Sequence, residues 1–331
     1  MLALKFMALR GLVLFGCGWI ARRHAAAARR VGVPLLVASR DLARARAFAR
    51  EFGAADAFGA YEAAARDPRA GAAVVCTPHD RHCADTLLAL GAGLHVLVEK
   101  PIAPTVEEAD RMIVAARAAG RVLMVAENFH FMPAFRHVRT LVTSGAVGPL
   151  RELHFMARGY RQHSGWRLAA GAAGGGVLID AGIHYVHNLR WWGGEVRRLF
   201  ALRPPQTVGL GGEDAVDVLA ELPAGVVGSV SISLGATGVP RVQWSSVTGA
   251  DGTIFADNRG RCVLLRGRGR TRLRLFHRDS RGHEAMLRAF DDAVGSGRPP
   301  ETDGVSGRCD LAVVLAAYRS VAERRPVDLS C

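Results

Sequence analysis

Lysine is almost missing from this chain: of 43 basic residues only Lys5 and Lys100 are lysines. The formal charge is +13, with an isoelectric point near 10.6. A strongly basic chain invites a nucleic-acid reading. Here the arginines are scattered through an Ala- and Gly-rich sequence, which reads as a compositional bias on ordinary surfaces, so no nucleic-acid partner is expected. The scarcity singles out Lys100. Arginine keeps its proton, whereas lysine can give one up.

Long apolar runs are also lacking, so no membrane-spanning helix is expected. Lys5 and Arg10 precede a short apolar run, Gly11 to Phe15, and Leu14-Phe15-Gly16-Cys17 faintly resembles a lipoprotein cleavage box. The run is shorter than an export signal and reads as a buried strand. The six cysteines (17, 76, 83, 262, 309 and 331) show no CxxC pair and no zinc spacing. Free thiols in a reducing, cytoplasmic setting are expected, and no metal. Half of the 331 residues are hydrophobic, enough for a sizeable core and about two domains.

What is present begins with a short apolar strand at 11–15. Gly16-Cys17-Gly18-Trp19-Ile20-Ala21 follows, then an Ala-rich helix to about Arg30. In a strand–turn–helix of this kind the first glycine permits the turn. The second lets a pyrophosphate approach the backbone, and Ala21 allows close packing. A second strand, 34–38, ends at Ser39-Arg40-Asp41. An acidic residue at the strand end would read the 2′-hydroxyl of NAD; Ser39 and Arg40 suit the 2′-phosphate of NADP, which is therefore favoured. Asp41 is the acidic reader if the register slips by two. Further strands at 72–76, 94–98 and 122–126 end at Thr77-Pro78, Glu99-Lys100-Pro101 and Glu127-Asn128, with helices between them. Polar residues thus gather after the strand ends, where open parallel sheets bind ligands. His79, Asp80 and His82 fall in such a loop and suit a cofactor better than a metal.

Residues 174–187, Gly174-Gly175-Gly176 through Asp180 and His184 to His187, carry a carboxylate and two histidines. On a continuous helix Asp180, His184 and His187 would share one face. They could move a proton there, or be a helix cap and packed histidines.

The GxGxxA turn, Thr77-Pro78, Glu99-Lys100-Pro101 and Asp180-Ala181-Gly182-Ile183-His184 occur in an order and spacing that resembles the glucose–fructose oxidoreductase / inositol dehydrogenase / rhizopine-catabolism (Gfo/Idh/MocA) oxidoreductases, over roughly residues 11–326. The resemblance implies an α/β Rossmann domain, residues 1–126. It implies a following α+β domain, residues 127–331, with a large, open, mostly antiparallel sheet through which family members oligomerise as homodimers or homotetramers. It implies NADP or NAD, and a sugar, polyol or sugar-nucleotide substrate. Lys100, Asp180 and His184 are the implied catalytic residues. Cofactor contacts are expected from Gly16, Gly18, Trp19, Ile20, Ser39, Arg40, Thr77, Pro78, His82, Glu99, Lys100, Asn128, Trp166 and Arg167. Substrate contacts are expected from Lys100, Asn128, Tyr160, Arg161, Asp180, His184 and His187. The chemistry agrees independently. Oxidising a secondary alcohol needs a base within hydrogen-bond reach, a role suited to His184. It also needs a cation for the developing alkoxide, a role suited to Lys100. A redox-neutral reaction with retained cofactor and a non-catalytic cofactor-binding regulator are the alternatives.

Strands are expected at 151–158, 196–202, 215–222, 226–234, 242–248, 253–256, 262–266 and 270–276, with closing helices at 284–294 and 311–323. Arg266, Arg268, Arg270, Arg272 and Arg274 read as a hairpin of solvated arginines around Gly267 to Gly269, ahead of an RNA or subunit contact.

Overall fold

The computed structural model describes residues 8–237 and 242–329. The chain forms two compact units: residues up to Glu127 together with His283–Arg308, and Asn128–Gly282 together with the chain from Cys309 onward.

In the first unit the strands are β1 (Leu12–Phe15), β2 (Leu35–Ala38), β3 (Asp56–Phe58), β4 (Ala72–Val75), β5 (His95–Val98) and β6 (Leu123–Val125). They form one parallel sheet in the order β3-β2-β1-β4-β5-β6. β1, β2 and β4 are buried along their whole length, as strands covered on both faces by helices must be. The helices are α1 (Trp19–Val31), α2 (Leu42–Phe52), α3 (Tyr61–Ala65), α4 (His82–Gly91) and α5 (Val106–Ala118). Thr105 caps α5 by accepting from Glu108 N at 3.2 Å, as its sequence predicts. The edge strand β3 was not anticipated. It has one exposed and two half-buried residues and no apolar run to announce it.

A single cut after residue 126 also misses how the first unit closes. Residues 283–308 return to it. The backbone of Leu9 donates to Asp291 at 2.9 Å, and Arg30 pairs with Glu284 at 2.8 Å. Val125 N donates to Thr302 O at 2.7 Å, which covers the edge of β6. Hydrophobic periodicity reports that a helix is amphipathic, not which core it covers.

The second unit opens with α6 (Asn128–Phe131) and α7 (Pro133–Thr143), then β7 (Leu150–Arg158), α8 (Ala170–Ala173) and α9 (Ile183–Gly193). The remaining strands are β8 (Arg198–Leu202), β9 (Ala215–Glu221), β10 (Val227–Ser233), β11 (Val242–Gly249), β12 (Gly252–Asp257), β13 (Cys262–Gly267) and β14 (Arg270–Leu275). Helices α10 (His283–Ser296) and α11 (Gly304–Glu323) and the short β15 (Val327–Asp328) end the chain. The nine strands run β14-β13-β12-β11-β7-β10-β9-β8-β15, antiparallel except between β7 and β10. One face packs on α9 through Phe155, Leu189 and Trp192, all buried. The arginine run is the expected hairpin. Gly267 pairs with Arg270 across a two-residue turn in which Arg268 and Gly269 both have positive φ, 46° and 70°.

Cys17, Cys76, Cys83 and Cys262 are free thiols, but Cys309 is disulfide-bonded, which corrects the all-thiol expectation. The lack of a CxxC pair excludes only local pairing.

Candidate active site

In the first unit, Gly16 leaves β1 with φ 107°, and a Cβ there would lie 3.0 Å from the carbonyl oxygen of Cys76. Glycine is required by the turn. Gly18, the N-cap of α1, differs: a Cβ on it would meet nothing within 4 Å. The first turn of α1 has no acidic residue, and Ala21 is fully buried. Open space at Gly18 and unopposed helix amides fit a pyrophosphate. Trp19 stands 64% exposed beside this turn, and Arg23 lies over its ring at 5.2 Å. Ile20 is half-buried.

At the end of β2, Ser39 is buried and Arg40 exposed. Asp41 caps α2, accepting from Arg44 N at 3.1 Å through one carboxylate oxygen. The Arg44 guanidinium reaches back to donate to Cys17 O at 3.2 Å. A second cation is therefore tied to the glycine turn, which the sequence reading missed because Arg44 lies six residues beyond the strand end.

Thr77 follows β4, and its hydroxyl is buried without a hydrogen-bond partner among the described residues. Such a group costs about 1–3 kcal/mol unless something else satisfies it. A bound nucleotide would do so. Pro78 next to it leads into the turn that starts α4.

His82 does not face that space. It is fully buried, and its ring nitrogens lie 2.7 Å from Pro101 O and 3.0 Å from Thr77 O. The expected cofactor contact is thus corrected to a strut joining two loops. Burial pushes its pKa down, and the two carbonyls pull the other way.

Glu99 also points inward. Its Oε1 lies 2.7 Å from His24 Nε2 on α1, and its Oε2 accepts from Lys100 N at 3.2 Å. Burial raises its pKa, but the His24 bond and charge, helped by Lys100 and His283, hold it at about 2. Glu99 therefore shapes the loop, through a histidine that the motif does not include. Lys100 is half-exposed, and its bond to Pro101 is cis.

In the second unit, a 3₁₀ turn, Gly165–Leu168, carries Trp166 and Arg167. Arg167 Nε donates to Asp180 Oδ2 at 2.7 Å and Nη2 to Oδ1 at 3.3 Å, while the guanidinium lies 4.4 Å over the Trp166 ring. Asp180 sits in a π-helical turn, Leu178–Gly182, just before α9. Such turns shift helix register and recur at functional sites. The turn separates Asp180 from α9; Asp180 and His184 are part-exposed, and His187, three residues further along α9, is buried.

The glycine run is explained by internal packing. A Cβ at Gly175 would lie 2.4 Å from the Tyr318 hydroxyl, and one at Gly176 would lie 1.9 Å from Glu213 O. Glu213 accepts from Gly176 N at 3.1 Å and Leu178 N at 2.8 Å, and Tyr318 donates to it at 3.0 Å. Burial pushes the Glu213 carboxyl up, partly offset by these donors, and pushes the Tyr318 hydroxyl well up. This clamp, also missed in the sequence, fixes the turn that carries Asp180.

His184 stacks on Phe129, with centroids 4.3 Å apart and planes at 9°. His187 does not line a pocket, which corrects its place among substrate contacts. Its Nδ1 lies 2.9 Å from Asp310 Oδ2 and its Nε2 2.9 Å from His130 Nδ1. Asn128 donates to Arg281 O at 2.8 Å. Tyr160 and Arg161 are exposed, and Tyr160 accepts from Gln162 at 3.0 Å. His163, Trp166, Arg167, Gly175 and Asp180 line one small cleft. Among the described residues no three His, Cys, Asp or Glu side chains group as metal ligands.

Known proteins are similar to this chain in sequence and in fold. The Gfo/Idh/MocA oxidoreductase family model, with an NAD-binding Rossmann fold, matches residues 10–127, and the Gfo/Idh/MocA C-terminal domain model matches residues 135–255. The 1,5-anhydro-D-fructose reductase of Ensifer adhaerens is 30% identical over 334 residues, 96% of this chain and 97% of that protein. The mouse (Mus musculus) trans-1,2-dihydrobenzene-1,2-diol dehydrogenase is 34% identical over 64% of this chain; the match spans 63% of that protein's length. Among solved structures, levoglucosan dehydrogenase in complex with NADH and L-sorbose superposes with a TM-score of 0.88 at 21% identity, over 97% of this chain and 98% of that one. The aldose-aldose oxidoreductase of Caulobacter crescentus, complexed with glycerol, superposes at 0.87 with 25% identity, over 96% and 99%. A family match over both halves, a full-length relative and the two sheets described above make this chain a member of the Gfo/Idh/MocA oxidoreductase family.

Proposed function

We propose that the protein is a cytoplasmic, NADP(H)-preferring dehydrogenase or reductase acting on a secondary alcohol or carbonyl of a sugar, polyol or sugar nucleotide. The observation that carries this reading is that Asp180, on the clamped π turn, and His184, at the start of α9, are both part-exposed. A bound nicotinamide accepts or supplies the hydride. The protein's own residues do the rest. His184 takes the alcohol proton, Lys100 stabilises charge on the oxygen, and Asp180, gripped by Arg167, orients its partner. The ring of His184 is held in one plane by Phe129, so its nitrogens keep a fixed direction. The full-length similarity to a 1,5-anhydro-D-fructose reductase supports a sugar-like substrate.

Ser39, Arg40 and Arg44 support NADP over NAD. Ser39 and Arg40 follow β2, at the sequence position where an acidic residue would bond the ribose, and the Arg44 guanidinium is bonded to Cys17 O of the glycine turn. The open sheet supports a homodimer or homotetramer. Leu219, Phe255 and Leu273 fall in one row across it and are 55%, 43% and 62% exposed. Exposed apolar area of this kind marks interaction surfaces.

Fluorescence titration of the purified protein with NADPH and NADH tests the cofactor. Tighter NADH binding overturns the preference. Absorbance of NADP(H) with a panel of sugars, inositols and nucleotide sugars tests the reaction. Absence of turnover in both directions across the panel would count against hydride transfer to this substrate class.

A further inference from the structure

Two buried histidines of the first unit have no part in the proposed proton transfer, and both grip the loop that carries Lys100. His24 is 2% exposed and His82 is fully buried. His24 stands in the second turn of α1, and its Nε2 lies 2.7 Å from Glu99 Oε1. The other oxygen of Glu99 accepts from Lys100 N at 3.2 Å. His82 opens α4, and its Nδ1 lies 2.7 Å from Pro101 O. Lys100 therefore sits between two residues of one loop, each held by an imidazole from a different helix.

We propose that His24 and His82 are positioning residues for Lys100: together they fix the backbone on both sides of it and tie it to the helix that follows the glycine turn. Lysine ends in a compact charge on a flexible four-carbon stem, so the point from which the stem starts decides what its ammonium can reach. The first turn of α1 offers the amides that fit a pyrophosphate, and its second turn holds Glu99. Cofactor seating and the start of the Lys100 side chain are then set by one helix.

The hydrogens follow from the acceptors. Glu99 is ionised: burial raises its carboxyl, but the His24 bond and charge, with Lys100 and His283, hold it at about 2. A carboxylate only accepts, so the hydrogen of this bond is on His24 Nε2. His24 and His283 meet edge to face with centroids 5.9 Å apart, so packing as well as the bond to Glu99 fixes the His24 ring. Burial pushes the pKa of His82 down, which favours the neutral ring. That ring has one hydrogen for two carbonyls, Pro101 O at 2.7 Å and Thr77 O at 3.0 Å, and the shorter contact assigns it to Nδ1.

This inference rests on the hydride-transfer reading for the task of Lys100, but not for its physical test. Lys5 and Lys100 are the only lysines, so protein labelled with ¹⁵N-lysine gives two backbone amide signals, and Lys5→Arg assigns them. In wild type the Lys100 amide is expected to be protected from hydrogen exchange by its bond to Glu99. Exchange as fast as in an unstructured peptide overturns the proposal. His24→Leu is expected to lose this protection, and His24→Gln, which keeps an N–H donor where Nε2 stands, to retain it. Turnover follows the same order: kcat falls about 100-fold in His24→Leu, the scale of a group displaced by 1 Å, and recovers in His24→Gln. At position 82, asparagine keeps a donor near Nδ1 and glutamine one near Nε2. His82→Asn is therefore expected to retain kcat and His82→Gln to lose it, and equal kcat in the two overturns the proposal as stated. The dissociation constant of NADPH is expected to stay unchanged in all four variants at 24 and 82. A loss of cofactor affinity in step with kcat would mean that the histidines only hold the fold, which also overturns it. If His24→Leu does not fold, the wild-type exchange and the pair of variants at 82 decide. If the Lys100 amide behaves as expected and no alcohol or carbonyl is turned over, it is the hydride-transfer reading that fails.

Discussion

Arg167 grips Asp180 through both carboxylate oxygens, at 2.7 and 3.3 Å. The pair is part-exposed, so its value for stability is small: solvent-accessible ion pairs give about 0–1 kcal/mol. Its value for geometry is larger, because a planar guanidinium fixes the plane of a carboxylate. Arg167→Leu is expected to leave the urea midpoint nearly unchanged and to lower kcat by about 100-fold, the scale of a group displaced by 1 Å. Steady-state kinetics with the substrate found in the panel check this. A variant that loses only KM would show that Arg167 binds and does not orient.

The cofactor preference is testable at Arg44, the cation that sequence inspection did not find. A hydrogen bond to a charged group contributes about 1.5–3 kcal/mol, roughly 10- to 100-fold in affinity. Arg44→Ala should weaken NADPH by that factor and change NADH far less. Ser39→Asp should go further and invert the preference, since a carboxylate repels a 2′-phosphate and accepts from a 2′-hydroxyl. The readout is the ratio of the two dissociation constants. An unchanged ratio in both variants would remove the argument for a phosphate site.

Much of this was legible beforehand because the deciding signals are local. The strand–turn–helix at 11–31, the strand ends at Thr77 and Glu99 and the cap at Thr105 each depend on a few adjacent residues, and each stands where the sequence puts it. What was not legible depends on distance. Glu99 belongs to a motif, but its partner His24 lies 75 residues earlier. Nothing near Gly176 in the sequence explains why it is glycine, because its clash partner, Glu213, is 37 residues away. His187 shares a helical repeat with Asp180 only if the helix is regular, and the π turn at Leu178–Gly182 makes it irregular. No periodicity reports a π turn.

The His24–Glu99 pair predicts a pH dependence of stability. The Glu99 carboxyl is held at about 2 against an ordinary value of 4.5. A depressed carboxyl stabilises the fold fully above the unfolded value and loses that contribution as pH falls through the folded one. Glu99→Gln should therefore be less stable than wild type by about 3 kcal/mol at pH 7. The gap should narrow from pH 4.5 downward and close near pH 2. Urea unfolding of both proteins across this range measures it. A gap that is constant with pH would mean that the loss is one of packing and not of charge.

Two glycines separate binding from folding. A Cβ at Gly18 meets nothing within 4 Å, whereas one at Gly176 would lie 1.9 Å from a backbone oxygen. Gly18→Ala should fold normally, since no atom has to move. If the space beside it is where a pyrophosphate approaches, the added methyl occupies that space, and cofactor affinity should fall at least tenfold, about 1.4 kcal/mol. Gly176→Ala should instead be destabilised by about 3 kcal/mol or more, the upper range for overpacking, because the backbone of Glu213 cannot turn aside as a side chain could. Thermal unfolding and NADPH titration of both variants read the two effects apart. Full cofactor affinity in Gly18→Ala would place the nucleotide away from the turn between β1 and α1, and with it would go the reason for reading that turn as the phosphate site.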